Sequence, residues 1–154
     1  MLKELFYDLD RVEHLDAAIY VVATITFYGQ LHLGEICTSK EAYMVFNHAT
    51  TPSHKHLKPP HMDTSSRMLC LPWTKVKRTS GDDVAICRQR GVTDPIRALE
   101  QHMQINSIID LDTALASYYT TTGMHKLLTV SKFIKHCNKI WQKHDRARFT
   151  GHSF

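Results

Sequence analysis

The side chains of this sequence best placed to do chemistry are cations. Lys132, Lys135, His136, Lys139 and Lys143 recur at three- and four-residue intervals. On a helix that spacing gathers them on one face, opposite Val130, Phe133, Ile134, Cys137 and Trp141. Ammonium groups in such a row hold phosphates without reading sequence, and contacts of that kind weaken steeply with salt. Lys75, Lys77 and Arg78 form a second basic group in a stretch rich in turn formers. Other constellations fail on residue type or spacing. His48, His54, His56 and His61 fit no standard zinc pattern and have no cysteine near them in sequence. Ser153 and the scattered histidines make no hydrolase triad, and nucleophile elbow, phosphate loop and dinucleotide fingerprint are all missing. Neither a metal nor a cofactor is expected.

The charge distribution points the same way as the lysine row. Net charge is +4 over 154 residues, a mild basicity that many proteins share. From Met1 to Gln30, however, five acids (Glu4, Asp8, Asp10, Glu13, Asp16) face two bases, while from Met124 to Phe154 seven bases are opposed by Asp145 alone. A basic C-terminal third on a nearly neutral body implies an anionic partner on one side. The hydrophobic share of 43% is enough for one packed domain. Cys37, Cys70, Cys87 and Cys137 are far apart, with no CxxC pair and no signal peptide ahead of them, so they read as buried free thiols of a nuclear or cytoplasmic, unsecreted protein. Ala17 to Gly34 carries no formal charge, yet Thr24, Thr26, Gln30, His32 and two glycines dilute it. It reads as a buried core helix rather than a membrane span.

The elements that must position these groups follow from periodicity and punctuation. Asp10 can cap a helix running from Arg11 to about Tyr28, apolar nearly all round. Gly29 loosens its end, and Gln30 to Ile36 form a further turn or short helix. A long polar connection from Thr38 to Ser66, broken by three prolines, holds at most a short strand near Lys55 to Lys58. Met68–Trp73 and Val84–Cys87 read as a β-hairpin with a basic tip. Asp94-Pro95 starts a helix that ends near Asn106. Ile108 to Tyr119 is a connector of unsettled state, and Thr129 caps a last helix reaching about His144. Long helix, hairpin, helix, helix is a mainly helical α+β arrangement.

Four stretches in this order carry a resemblance: Thr26-Phe27-Tyr28-Gly29-Gln30-Leu31-His32-Leu33-Gly34-Glu35; Leu71-Pro72-Trp73-Thr74-Lys75; Asp94-Pro95-Ile96-Arg97-Ala98-Leu99; and Phe133 to Trp141 followed by Thr150-Gly151-His152-Ser153-Phe154. Together they resemble the catalytic domain of tyrosine recombinases, the phage-integrase-like enzymes, in versions carried by fungal transposable elements. The resemblance implies an integrase-like core, a small antiparallel sheet packed on helices, and duplex DNA as partner. In that family a tyrosine hydroxyl attacks a phosphodiester and becomes covalently linked to DNA. Two arginines brace the charge that develops on the phosphate, and a hairpin lysine protonates the leaving oxygen.

Carried over residue by residue, the set is depleted. His32 stands where the first arginine belongs, in a Leu-Arg-x-Gly-Glu pattern. Glu35 fits the acid of that motif, Lys75 the hairpin lysine, and His152 the first residue of His-x-x-Arg. The second arginine and the nucleophile would lie past Phe154, and no tyrosine in the chain takes the matching place. Histidine offers no bidentate fork, and losing one preorganised donor at developing charge costs roughly a hundred- to a thousandfold in rate. The expectation is one domain, residues 1–154, a partial recombinase catalytic domain without the clamping domain that usually precedes it. It would bind DNA through Lys75, Lys77, Arg78, Lys132, Lys135, Lys139 and Lys143, keep His32, Glu35, Lys75 and His152 as vestiges of the site, and cleave nothing. Apolar surface left uncovered would favour self-association. The alternatives are a non-enzymatic DNA- or protein-binding module that reuses the fold, and an unrelated helical interaction domain.

Overall fold

The computed structural model describes residues 1–39, 50, 57–58, 65–74, 77, 80–106 and 114–150, with backbone alone at 57–58. The fold is α+β with helices predominating. In chain order the described elements are α1 (Leu2–Asp8), α2 (His14–Gly29), α3 (Leu33–Ile36), β1 (Leu57–Lys58), β2 (Ser66–Leu71), β3 (Asp82–Cys87), α4 (Pro95–Ile105), β4 (Ser117–Tyr119), β5 (His125–Leu127) and α5 (Val130–Lys143).

The centre of the core is α2. Every residue from Ala17 to Thr26 is buried, as an apolar run without a polar stripe requires. Helix α4, strands β3 and β4, and α1 pack around it. The helix begins later than Asp10 implies. Asp10 spends its side chain on the Val12 amide and donates its own amide to Asp16 Oδ2 at 3.0 Å. It thereby builds a turn before the helix, and Glu13 becomes the N-cap. Ahead of that turn lies α1, which the reading above left out. Its Leu5 is wholly buried against the cluster that contains Trp141, and the Trp141 indole donates to the Met1 carbonyl.

Two signals of the sequence act as expected. Asp94 Oδ1 accepts from the Ile96 amide at 3.1 Å, with Pro95 in the first helical position of α4. Thr129 Oγ1 accepts from the Lys132 amide at 3.2 Å and opens α5. Both satisfy amides that a helix start leaves orphaned. The hairpin is part of a three-stranded antiparallel sheet in the order β1-β2-β3. Its register pairs Ser66 with Cys87 and Leu71 with Asp82. Leu69, Leu71 and Ile86 face the core. The opposite side of β3 is wet, so Cys87 is exposed and Cys70 half-buried. Only Cys37 and Cys137 are the buried thiols expected of all four.

The unsettled connector ends in a second, two-stranded sheet, β4 with β5, pairing Ser117 with Leu127 and Tyr119 with His125. Residues 107–113 and the histidines rejected above as a zinc site (His48, His54, His56, His61) lie outside the described residues. Among the described residues no helix is long and apolar enough to cross a membrane.

Candidate nucleic-acid interface

The basic face of α5 is not uniform. At 3.6 residues per turn its polar side chains fall into two adjacent rows. Ser131, Lys135, Lys139 and Gln142 point outward and are exposed. Lys132, His136 and Lys143 turn toward the body and meet partners there. The Lys132 ammonium donates to the Tyr118 hydroxyl and lies 4.7 Å from the centre of that ring. His136 Nε2 is 3.1 Å from Asp16 Oδ1. Lys143 Nζ approaches Asp8 at 3.9 Å, and His144 Nε2 reaches the same carboxylate at 3.3 Å. Beyond the helix, Arg146 donates two hydrogen bonds to Glu4 Oε1, at 2.7 and 3.1 Å. Those bonds are the main reason the Glu4 carboxyl titrates below the usual range.

The charge asymmetry of the sequence therefore has an internal explanation for two of its seven late bases, Lys143 and Arg146. The acids of α1 and of the start of α2 are the partners of His136, Lys143, His144 and Arg146, while Lys132 rests on Tyr118. What remains is a ridge, Lys135 and Lys139, with Arg148 nearby. Among the described residues none of these three makes an ion pair. Ser131, Lys132, Lys135, His136 and Lys139 enclose a concavity of about 450 Å³ on one side of the ridge, and every one of those side chains can donate a hydrogen bond. Ser131 was not among the residues singled out from sequence. Its spacing of four from Lys135 and eight from Lys139 would have placed it in the same row. Lys143, which was singled out, belongs to the inward row instead.

The residues expected to form the remains of a catalytic pocket are only partly in view. Lys75, Arg78 and His152 lie outside the described residues. Lys77 is bound within its own turn. Its ammonium is 3.0 Å from Asp82 Oδ2, and its amide donates to Thr74 Oγ1. His32 and Glu35 do come together, as the ends of one turn: Glu35 Oε2 accepts from the His32 amide at 2.9 Å, closing back onto the start of α3. Glu35 thus shapes the backbone at position 32, a local task that the sequence pattern does not separate from a catalytic one.

Close packing of α2 on β3 fixes where this turn sits. A Cβ on Gly29 would meet Ile86 Cδ1 at 2.9 Å, so any larger residue here would push the end of the Ile86 side chain aside. Gln30 then takes the left-handed conformation (φ 53°) that ends α2, and Leu31 is buried. His32 itself is exposed. It lines a cavity of about 800 Å³ together with Tyr28, Thr93, Glu4 and Arg146. Among the described residues Arg146 is the one arginine on that wall, and Glu4 already holds it.

Three buried titratable groups among the described residues are held in their protonated forms. Desolvation pushes the Cys37 thiol up to about 12 and moves Cys137 in the same direction, so neither yields thiolate at neutral pH. Tyr20 is raised to about 12 by its burial. No family model, no curated protein and no solved structure matches this chain.

Proposed function

We propose that this chain is a duplex-DNA-binding domain of integrase-like ancestry, with the α5 ridge as its phosphate-contacting surface and no strand-cleaving activity of its own. One observation supports the reading: Lys143, His136 and Arg146 have acid partners within the fold, whereas Lys135 and Lys139 are exposed without an acid among the described residues. The order of elements is consistent with the ancestry. A buried helix delivers the His32 turn, an antiparallel sheet follows, and Asp94-capped and Thr129-capped helices come after. The want of cleavage rests on the residues. A tyrosine hydroxyl must be free to attack, and the tyrosine nearest the basic face, Tyr118, is buried with its hydroxyl on Lys132. The planar guanidinium fork needed at position 32 is replaced by an imidazole.

Fluorescence anisotropy on a labelled duplex, titrated at several salt concentrations, tests the binding claim. Binding should weaken with salt. Lys135→Glu with Lys139→Glu should lower affinity at least tenfold and flatten the log–log salt slope by about 1.8, the share of two lost phosphate contacts. A salt-independent affinity, or one the double variant leaves intact, would overturn it. A nicked suicide substrate should give no covalent adduct, and an adduct would restore the enzymatic reading.

A further inference from the structure

On the far side of the Lys135–Lys139 ridge lies a different surface. The segment after α5 turns back along the helix, and Asn138 holds it there with a reciprocal pair of hydrogen bonds. Its Nδ2 donates to the Phe149 carbonyl at 2.8 Å, and its Oδ1 accepts from the Phe149 amide at 2.9 Å. The Phe149 ring meets Trp141 edge to face, with centroids 4.9 Å apart. Helix and returning segment become the two banks of an open groove of about 890 Å³. Its floor is apolar: Val130, Ile134 and Phe149 pack on the core from below and remain partly exposed above. Its banks are cationic. Lys135 and Lys139, one helical turn apart, stand on one side, and Arg148 stands on the other.

We infer that this groove docks a protein segment of one kind, an acidic amphipathic helix or strand whose apolar side chains fill the floor and whose carboxylates meet the banks. Charge complementarity selects it. Three cations without ion pairs among the described residues flank an apolar trough, so an occupant must carry acids on both flanks of an apolar stripe. Duplex DNA satisfies the banks, but its phosphate rails put nothing apolar on Val130, Ile134 and Phe149, since its thymine methyls lie down in the major groove. A neutral apolar segment satisfies the floor and leaves the cations unmatched. Because Lys135 and Lys139 form the ridge between this groove and the donor-lined concavity, a docked acidic segment and bound DNA exclude one another. The acidic partner is then a competitor of the DNA contact, and that last step alone rests on the function proposed above.

The test is selection of randomised twelve-residue peptides from a display library on the full chain, with Ile134→Asp as the counter-selecting bait. The enriched peptides should pair Asp or Glu flanks with aliphatic or aromatic anchors. A synthetic copy of one of them should lose at least tenfold in affinity to Ile134→Asp and to Lys139→Glu separately. DNA binding should respond to Lys139→Glu and not to Ile134→Asp, which separates a failure of the groove from a failure of the DNA reading. Circular dichroism of both variants shows whether they remain folded, and Ile134→Ser replaces Ile134→Asp if that variant does not. Enrichment of basic or purely apolar peptides, no enrichment, or peptide binding that survives the floor variant would overturn the proposal. So would a concentration-dependent dimer of the chain that Ile134→Asp abolishes, since a second copy would then be the occupant.

Discussion

Among single residues, the most constrained is a histidine that composition makes look like one more basic group. His102 is almost wholly buried. Its Nε2 lies 3.0 Å from the Leu115 carbonyl, which can only accept, so that nitrogen carries the proton. Its Nδ1 is 3.1 Å from Asn106 Nδ2, which can only donate, so that nitrogen carries the lone pair. The same Asn106 also donates to the His14 carbonyl and faces His14 Nδ1 across 3.0 Å. One neutral tautomer satisfies the whole network, and a second proton would leave two donors face to face. Burial accordingly pulls the His102 pKa down to about 4. The unfolded chain takes up this proton near pH 6.5 and the native one does not. The contribution is therefore complete above pH 6.5 and lost as pH falls through about 4, a loss of roughly 3 kcal/mol. A histidine NMR titration should show one ring that stays neutral down to about pH 5, and titration of every ring near pH 6.5 would contradict it. Little of this was legible beforehand: Asn106 is only four residues on, but the Leu115 carbonyl and the His14 that fixes Asn106 come from elsewhere in the chain.

Legibility at the level of elements tracked how local the determining contacts are. Asp94-Pro95 and Thr129 act within three residues of themselves, and both helix starts were readable. Asp10 misled because its carboxylate served a turn one step upstream of the helix. Helix α1 carries Leu2, Leu5 and Phe6 at helical spacing with Leu9 as its C-cap, a signal confined to eight residues. Strands β4 and β5 are three residues each, too short for alternation to show. The turns also differ in how well their residues suit them. Gln30 holds a left-handed conformation that favours glycine. Gln30→Gly should stabilise the protein by up to about 1 kcal/mol. Gly81 has φ 63°, and a Cβ there would sit 2.1 Å from the Leu71 carbonyl oxygen. Gly81→Ala should cost about 2 kcal/mol or more by opening the β2–β3 hairpin. Denaturant midpoints of the two variants should move in opposite directions, and a shift of both in the same direction would refute this reading of the turns.

Across the whole molecule, the informative quantity is which charges are left over once the fold has paired the rest. The sequence showed an acidic start and a basic finish, and that contrast implied an anionic partner on one side. Folding brings α1 and α2 against α5, and Glu4, Asp8 and Asp16 become partners of Arg146, Lys143 with His144, and His136. These are exposed or half-exposed pairs, each worth little alone, but together they fix which bases remain for a partner. Two charge-reversed proteins separate the roles: Lys135→Glu with Lys139→Glu on the ridge, and Lys143→Glu with Arg146→Glu among the paired bases. The change in net charge is the same in both, so a general electrostatic attraction would weaken both equally. Duplex-DNA affinity at one fixed salt concentration, measured for the pair, is the most direct test. The ridge variant should lose at least tenfold more affinity than the paired-base variant, which should instead melt at a lower temperature. Equal losses, or a greater loss from the paired bases, would contradict α5 as the DNA-facing surface.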